Sequence, residues 1–189
     1  MKREVSDKTI LDEFVEDFVK VVERHCNYIV VSGFVAIVHG RSRGTEDVDM
    51  IIEKLSLKDF DKLHVNLLKN GFECMQSVDS KVIYDYLINA TSVRYVRDGE
   101  FLPEMEIKFA KDELDYYQLA TKVKLPLSGL DIWFSSIEMN IAFKEEYLKS
   151  DKDLEDARHL RIIYKDKFSE EEINKIKKDI NRVRMNGKR

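Results

Sequence analysis

The chain has 189 residues, 43% of them hydrophobic and 36% charged, with a net charge of −4. That length is one domain's worth, and the apolar share is enough for a real core, which excludes a disordered chain. The slight acidity excludes a wholly basic nucleic-acid binder, and no apolar run reaches the roughly 18 residues of a membrane span.

The N-terminus, MKREVSDKTILDEFVEDF, carries acids where a signal peptide would be apolar, so a cytoplasmic location is expected. Ile10, Leu11, Phe14, Val15, Phe18, Val21 and Val22 recur at helical spacing, and Ser6 or Asp7 is placed to cap that helix. Residues 27–32 (NYIVVS) form a short β-branched run, read as a buried strand that ends at Gly33. A short helix is expected over Phe34 to His39, then a polar loop (GRSRGT), then a strand over Glu46 to Glu53. Ser56 opens a helix that Gly71 stops. A strand follows over Phe72 to Gln76, and Ser80 to Asn89 fits a helix or a strand. Thr91 to Val96 and Glu104 to Phe109 alternate as half-buried strands do. Lys122 to Phe134, broken at Ser128-Gly129, reads as a hairpin. From Ser135, with Glu138 three residues on, the rest reads as helix. The expectation is an α+β fold: a mixed sheet flanked by helices over residues 1–134, with a helical region over 135–189 packed on it.

The chemical signal is Asp47-Val48-Asp49. Residues two apart on a strand face the same way, with α-carbons about 6.6 Å apart. Two carboxylates so placed can embrace divalent cations about 3.5–4 Å apart. Hard oxygen donors of this kind suit Mg²⁺ or Mn²⁺. In phosphatases of the haloacid dehalogenase type and many glycosyltransferases, the apolar strand precedes such a pair. Here Met50, Ile51 and Ile52 follow it, so the acids begin their strand. The preceding strand ends at Ser32-Gly33, where a helix starts at once. Glycine there lets backbone N–H groups approach a phosphate. In an antiparallel or mixed sheet the two strand ends can be neighbours, which would set a phosphate cradle against a metal pair.

The stretch SGFVAIVHGRSRGTEDVDMII resembles the nucleotidyltransferase superfamily with the polymerase-β-like core. Within it, the chain is most similar to the branch of AbiEii-type toxins and related prokaryotic proteins. Ser32-Gly33, Arg43, Thr45, Asp47 and Asp49 occupy that family's turn, Arg-x-Ser/Thr segment and acidic pair, and Lys144, Lys152-Asp153 and Asp156 match its later Lys and Lys-Asp-x-x-Asp. The turn is Ser-Gly rather than Gly-Gly or Gly-Ser, Asp151 stands where an arginine is frequent, and Glu106 stands where the third acid is usually Asp.

The resemblance implies a metal-dependent nucleotidyltransferase. Asp47, Asp49 and Glu106 would be catalytic and hold the metal. Ser32, Gly33, Arg43, Thr45, Lys144 and Lys152 would hold the NTP. The acceptor would be RNA, a protein side chain or a small molecule. The alternative is a non-catalytic nucleotide- or partner-binding member of the same fold, as in a toxin–antitoxin pair with a cognate partner protein. Asp85 is a second candidate for the third acid.

The remaining residues read as structural. His25, His39, His64 and His159 lack ligand spacing. Cys26 and Cys74 form no C-x-x-C, which argues against zinc and a disulfide framework. From Lys175 onward seven cations stand against Asp179 alone. Such an end either touches RNA phosphates or complements a helix dipole.

Overall fold

The computed structural model describes residues 9–42 and 44–186. Ser6 and Asp7 lie outside them; α1 (Ile10–Val22) is capped instead by Thr9, which closes a reciprocal capping box with Asp12. Then follow β1 (Tyr28–Val31), α2 (Gly33–Val38), β2 (Asp47–Ile52), α3 (Leu57–Lys69) and β3 (Phe72–Cys74). Ser56 caps α3 by accepting the Asp59 N–H. The ambiguous segment is a helix, α4 (Ser80–Ile88), capped by Asp79. β4 (Val93–Arg97) and β5 (Glu104–Phe109) come next.

A further helix, α5 (Glu113–Ala120), stands in a segment without a helical apolar pattern. It buries Asp115 and Gln118 beside Leu114 and Leu119, so its inner face has no apolar period to read. Its Asp112 cap, which accepts the Leu114 and Asp115 N–H groups, was the available signal.

The expected hairpin is β6 (Val123–Lys124) against β7 (Trp133–Phe134), shortened because Pro126 opens a 3₁₀ turn. The C-terminal helices are α6 (Ile137–Phe143), α7 (Asp151–Ile163) and α8 (Glu170–Asn186). A π-helical turn, Lys144–Leu148, follows directly on α6. The α6 cap is Ser136, not Ser135. Ser135 ends the sheet instead, its N–H donating to the Val30 carbonyl. Among the described residues no helix is long and apolar enough to cross a membrane.

Among the described residues seven strands form one mixed sheet in the order β3-β4-β5-β2-β1-β7-β6. The central strand β2 runs antiparallel to β1 and parallel to β5. Its period of two splits the residues between faces. Val48, Met50 and Ile52, with Met105, Ile107 and Phe109, are buried on one face. There α1, α3 and α4 bring Phe14, Phe18, Phe60 and Tyr84 against Phe72, Tyr95 and Phe109. His64 belongs to this core; its Nδ1 meets the Tyr95 hydroxyl and its Nε2 donates to the Val78 carbonyl. The other face is covered only partly, where Ile29, Ile51, Ala110 and Leu119 of α5 form a small second cluster. One end of that face stays open, and the acids lie there.

Phe18 is fully buried, edge-on to Phe72 at 5.0 Å and near Tyr95 at 5.8 Å. Phe18→Ala is expected to cost about 3–5 kcal/mol, through lost transfer energy and an unfilled cavity. Urea denaturation checks this; the midpoint should fall with the slope unchanged.

Candidate active site

β2 and β5 pair in parallel with Asp47 opposite Glu104 and Asp49 opposite Glu106. Neighbouring strands lie about 4.8 Å apart. Four carboxylates therefore share one end of one face. On the other side of β2, Val31 lies opposite Asp49, which sets the Ser32-Gly33 turn beside the acids. Ser32 adopts φ 66° and ψ −137°, a conformation that glycine takes freely and serine does not. The strain sits on Ser32, while Gly33 is the first, buried residue of α2.

Burial pushes the Asp49 carboxyl above the ordinary carboxylate value; a hydrogen bond from Ser32 opposes this, and the charges of Asp47 and Glu106 add to the rise. Glu104 is also raised, by burial, with Arg94 opposing. Thr45 donates its hydroxyl to Asp47 Oδ1 at 2.8 Å and to the Asp47 carbonyl at 3.0 Å. It therefore orients an acid. Arg94, opposite Glu106 on β4, brings Nε to 3.3 Å from Glu104 and 3.2 Å from Glu106. Arg94 is not among the residues expected from the sequence; its alternation with buried Val93 and Tyr95 is the signal that could have found it.

Among the described residues no three acidic, histidine or cysteine side chains are gathered tightly enough to hold an ion as they stand. Arg94 engages Glu104 and Glu106. The donor set nevertheless fits a divalent cation. Its oxygens are hard, they share one face, and Asp47 and Glu106 both place negative charge beside Asp49.

Asp49 and Glu106 open onto a cavity of about 190 Å³ between the sheet and the helices. Ile51 and Lys108 line its floor, Asp115 and Gln118 of α5 one side, and Phe143 and Lys144 the other. The π-helical turn adds Tyr147 and Leu148 to the lining. Such turns are frequent at functional sites.

Lys144 lines this cavity but is 1% exposed and held by Asp156 at 2.8 Å and Asp153 at 3.6 Å. Asp156 is fully buried and also pairs with Arg41, from the loop that leads to β2. The ion group thus ties α7 and the π-helical turn to the approach of the acids. Asp156→Ala would leave the buried Lys144 ammonium with only a distant partner. The expected loss is about 3–5 kcal/mol in chemical denaturation.

Lys152 is exposed on the first turn of α7 and does not line the cavity. Arg43 lies outside the described residues. Asp85 is exposed on α4, which packs on the opposite face of the sheet, so it does not join the acids. His39 is buried, donating from Nδ1 to the Val35 carbonyl and taking the Tyr164 hydroxyl on Nε2; burial lowers its pKa below the ordinary imidazole value. Three cations of the basic C-terminal segment pair within the molecule: Lys177 with Glu145, Lys175 with Glu172, and Arg182 with Glu113 and Asp179.

No protein-family model matches the sequence, and no curated protein matches it. Solved structures do. The antibiotic-resistance factor ANT(2'')-Ia superposes with a TM-score of 0.58 at 13% identity, over 94% of each chain. An antigenic nucleotidyltransferase-like protein from Paracoccidioides brasiliensis superposes with a TM-score of 0.50 at 19% identity, over 91% of this chain and 88% of that one. Identities this low speak to architecture alone. On that ground the mixed sheet and its flanking helices are the nucleotidyltransferase fold.

Proposed function

We propose that this protein is a metal-dependent nucleotidyltransferase that moves a nucleoside monophosphate from an NTP to an acceptor hydroxyl. The observation that carries the reading is the register of β2. It sets Asp49 beside Glu106 on one strand and beside the strained Ser32-Gly33 turn on the other. A strained turn and a carboxylate group meet at the mouth of a cavity, as the reaction requires. Fold likeness alone would not license this.

Asp47, Asp49 and Glu106 would hold Mg²⁺ or Mn²⁺, which would neutralise phosphate charge during transfer. Thr45 fixes the rotamer of Asp47. The Ser32-Gly33 turn would receive the triphosphate, and Lys108 would supply positive charge from the cavity wall, while the expected role of Lys144 is taken up by its ion pair with Asp156. The acceptor oxygen would attack the α-phosphorus. The bond to pyrophosphate would break, and the hydroxyl proton would pass to a Glu106 oxygen.

A second groove of about 600 Å³ shares Lys108, Asp115, Phe143 and Tyr147 with the cavity and runs on to Lys111 and Arg184. It supplies a route for the acceptor, whether RNA, a protein side chain or a small molecule. Arg184 already lies over the Tyr147 ring at 5.0 Å.

The test is incubation with each α-labelled NTP, Mg²⁺, and total RNA or cell lysate. Transfer of label to a macromolecule or small molecule, abolished by chelation, is expected. Failure of every NTP to bind in Mg²⁺ would overturn the reading.

A further inference from the structure

The cavity holds two polar side chains that the transfer step does not use. Asp115 is 4% exposed and Gln118 5% exposed, and both line the cavity. Asp115 accepts one hydrogen bond, from the Lys111 N–H to Oδ2 at 3.2 Å. Its other oxygen has no hydrogen-bond partner among the described residues. Gln118 Oε1 takes the Ser135 hydroxyl at 2.9 Å, which leaves the amide N–H groups as donors. A carboxylate oxygen and an amide group left without hydrogen-bond partners, on two side chains that line the cavity, are polar groups placed to meet a ligand.

Their spacing indicates which ligand. Three residues apart on α5, they are neighbours on one helix face, about 5–6 Å between β-carbons. One offers an acceptor, the other a donor. The walls beside them are flat or apolar: Phe143 and Met139 from α6, and Ile51 from the sheet. The cavity mouth is at Asp49 and Glu106, where the α-phosphate would lie. A nucleobase hangs one sugar away from that phosphate.

We propose, on the footing of the nucleotidyl-transfer reading, that this cavity seats the base of the transferred nucleotide, and that Asp115 and Gln118 read its amino-bearing edge. The exocyclic amine donates to Asp115, and the adjacent ring nitrogen accepts from the Gln118 amide. Adenine and cytosine present that pair. Hypoxanthine and uracil reverse it, setting a carbonyl against the carboxylate and an N–H against the amide. A site built to hydrogen-bond one pattern rejects the reversed one strongly, because its buried groups are then left unpaired.

The experiment measures binding of ATP, ITP, CTP and UTP to the full chain in Mg²⁺ by calorimetry, for the wild type and for Asp115→Asn. Asparagine keeps the shape and can present either a donor or an acceptor. In the wild type, ATP is expected to bind at least tenfold tighter than ITP, and CTP at least tenfold tighter than UTP. In Asp115→Asn both ratios should fall toward one, mainly by tighter binding of ITP and UTP. A merely structural role for Asp115 would weaken all four nucleotides alike and leave the ratios intact, which would overturn the base assignment. So would equal binding of the four by the wild type, with the transfer reading left standing. If no nucleotide binds, the transfer reading fails with it.

Discussion

Asp49→Asn is expected to abolish nucleotidyl transfer and, in the same variant, to raise the melting temperature at neutral pH. The two effects share one cause. Asp49 is crowded by burial and by the charges of Asp47 and Glu106, so its carboxyl is raised above the ordinary value. The folded state then holds a proton on Asp49 more readily than the unfolded state, whose value is near 3.8. Above the folded value, ionised Asp49 opposes folding. That opposition fades as pH falls through the folded value toward the unfolded one. The stabilising effect of asparagine should therefore be present at pH 7 and vanish below about pH 4. Activity moves the other way. An amide supplies no charge to a cation, and the lost stabilisation of transferring phosphate is several kcal/mol, on the order of 10³-fold in rate. Thermal melts across pH and a label-transfer assay read the two effects separately. A variant that is both active and unaltered in stability would place the reaction elsewhere.

Glu106→Gln is expected to lower transfer by about 10²–10⁴-fold, the range of a positioned general base. NTP binding should persist, since Asp47 and Asp49 remain. Glu106 leaves the sheet on the acidic face because Met105, Ile107 and Phe109 take the other. Arg94 at 3.2 Å holds it toward β4 in this state. Glu106→Asp, which shortens the reach by one methylene, should keep part of the activity. Rates measured at saturating NTP separate this loss from weaker binding. A Glu106→Gln variant with full transfer activity would reduce Glu106 to a partner of Arg94.

Local rules carried much of the architecture. The helical spacing of Ile10 to Val22 and the alternation of Glu104 to Phe109 each named their element, because one buried face imposes its own period. Failures fell where burial and polarity part company. α5 was illegible because it turns Asp115 and Gln118 inward. The cap at Ser136 was displaced by one residue because the Ser135 N–H is taken by Val30.

What the sequence determined by itself was the pair Asp47 and Asp49 on one strand face, since a period of two needs no partner strand to be read. It also placed the Ser32-Gly33 turn directly after a buried strand. What only the tertiary structure decided was which residues those features meet. The parallel pairing of β2 with β5 set Glu106, 57 positions away in the numbering, level with Asp49. The antiparallel pairing of β4 added Arg94. The fold turned Lys144 toward Asp156 and left Lys152 in solvent. Strand register and helix docking depend on summed burial across the whole molecule, and no local window of sequence contains that sum.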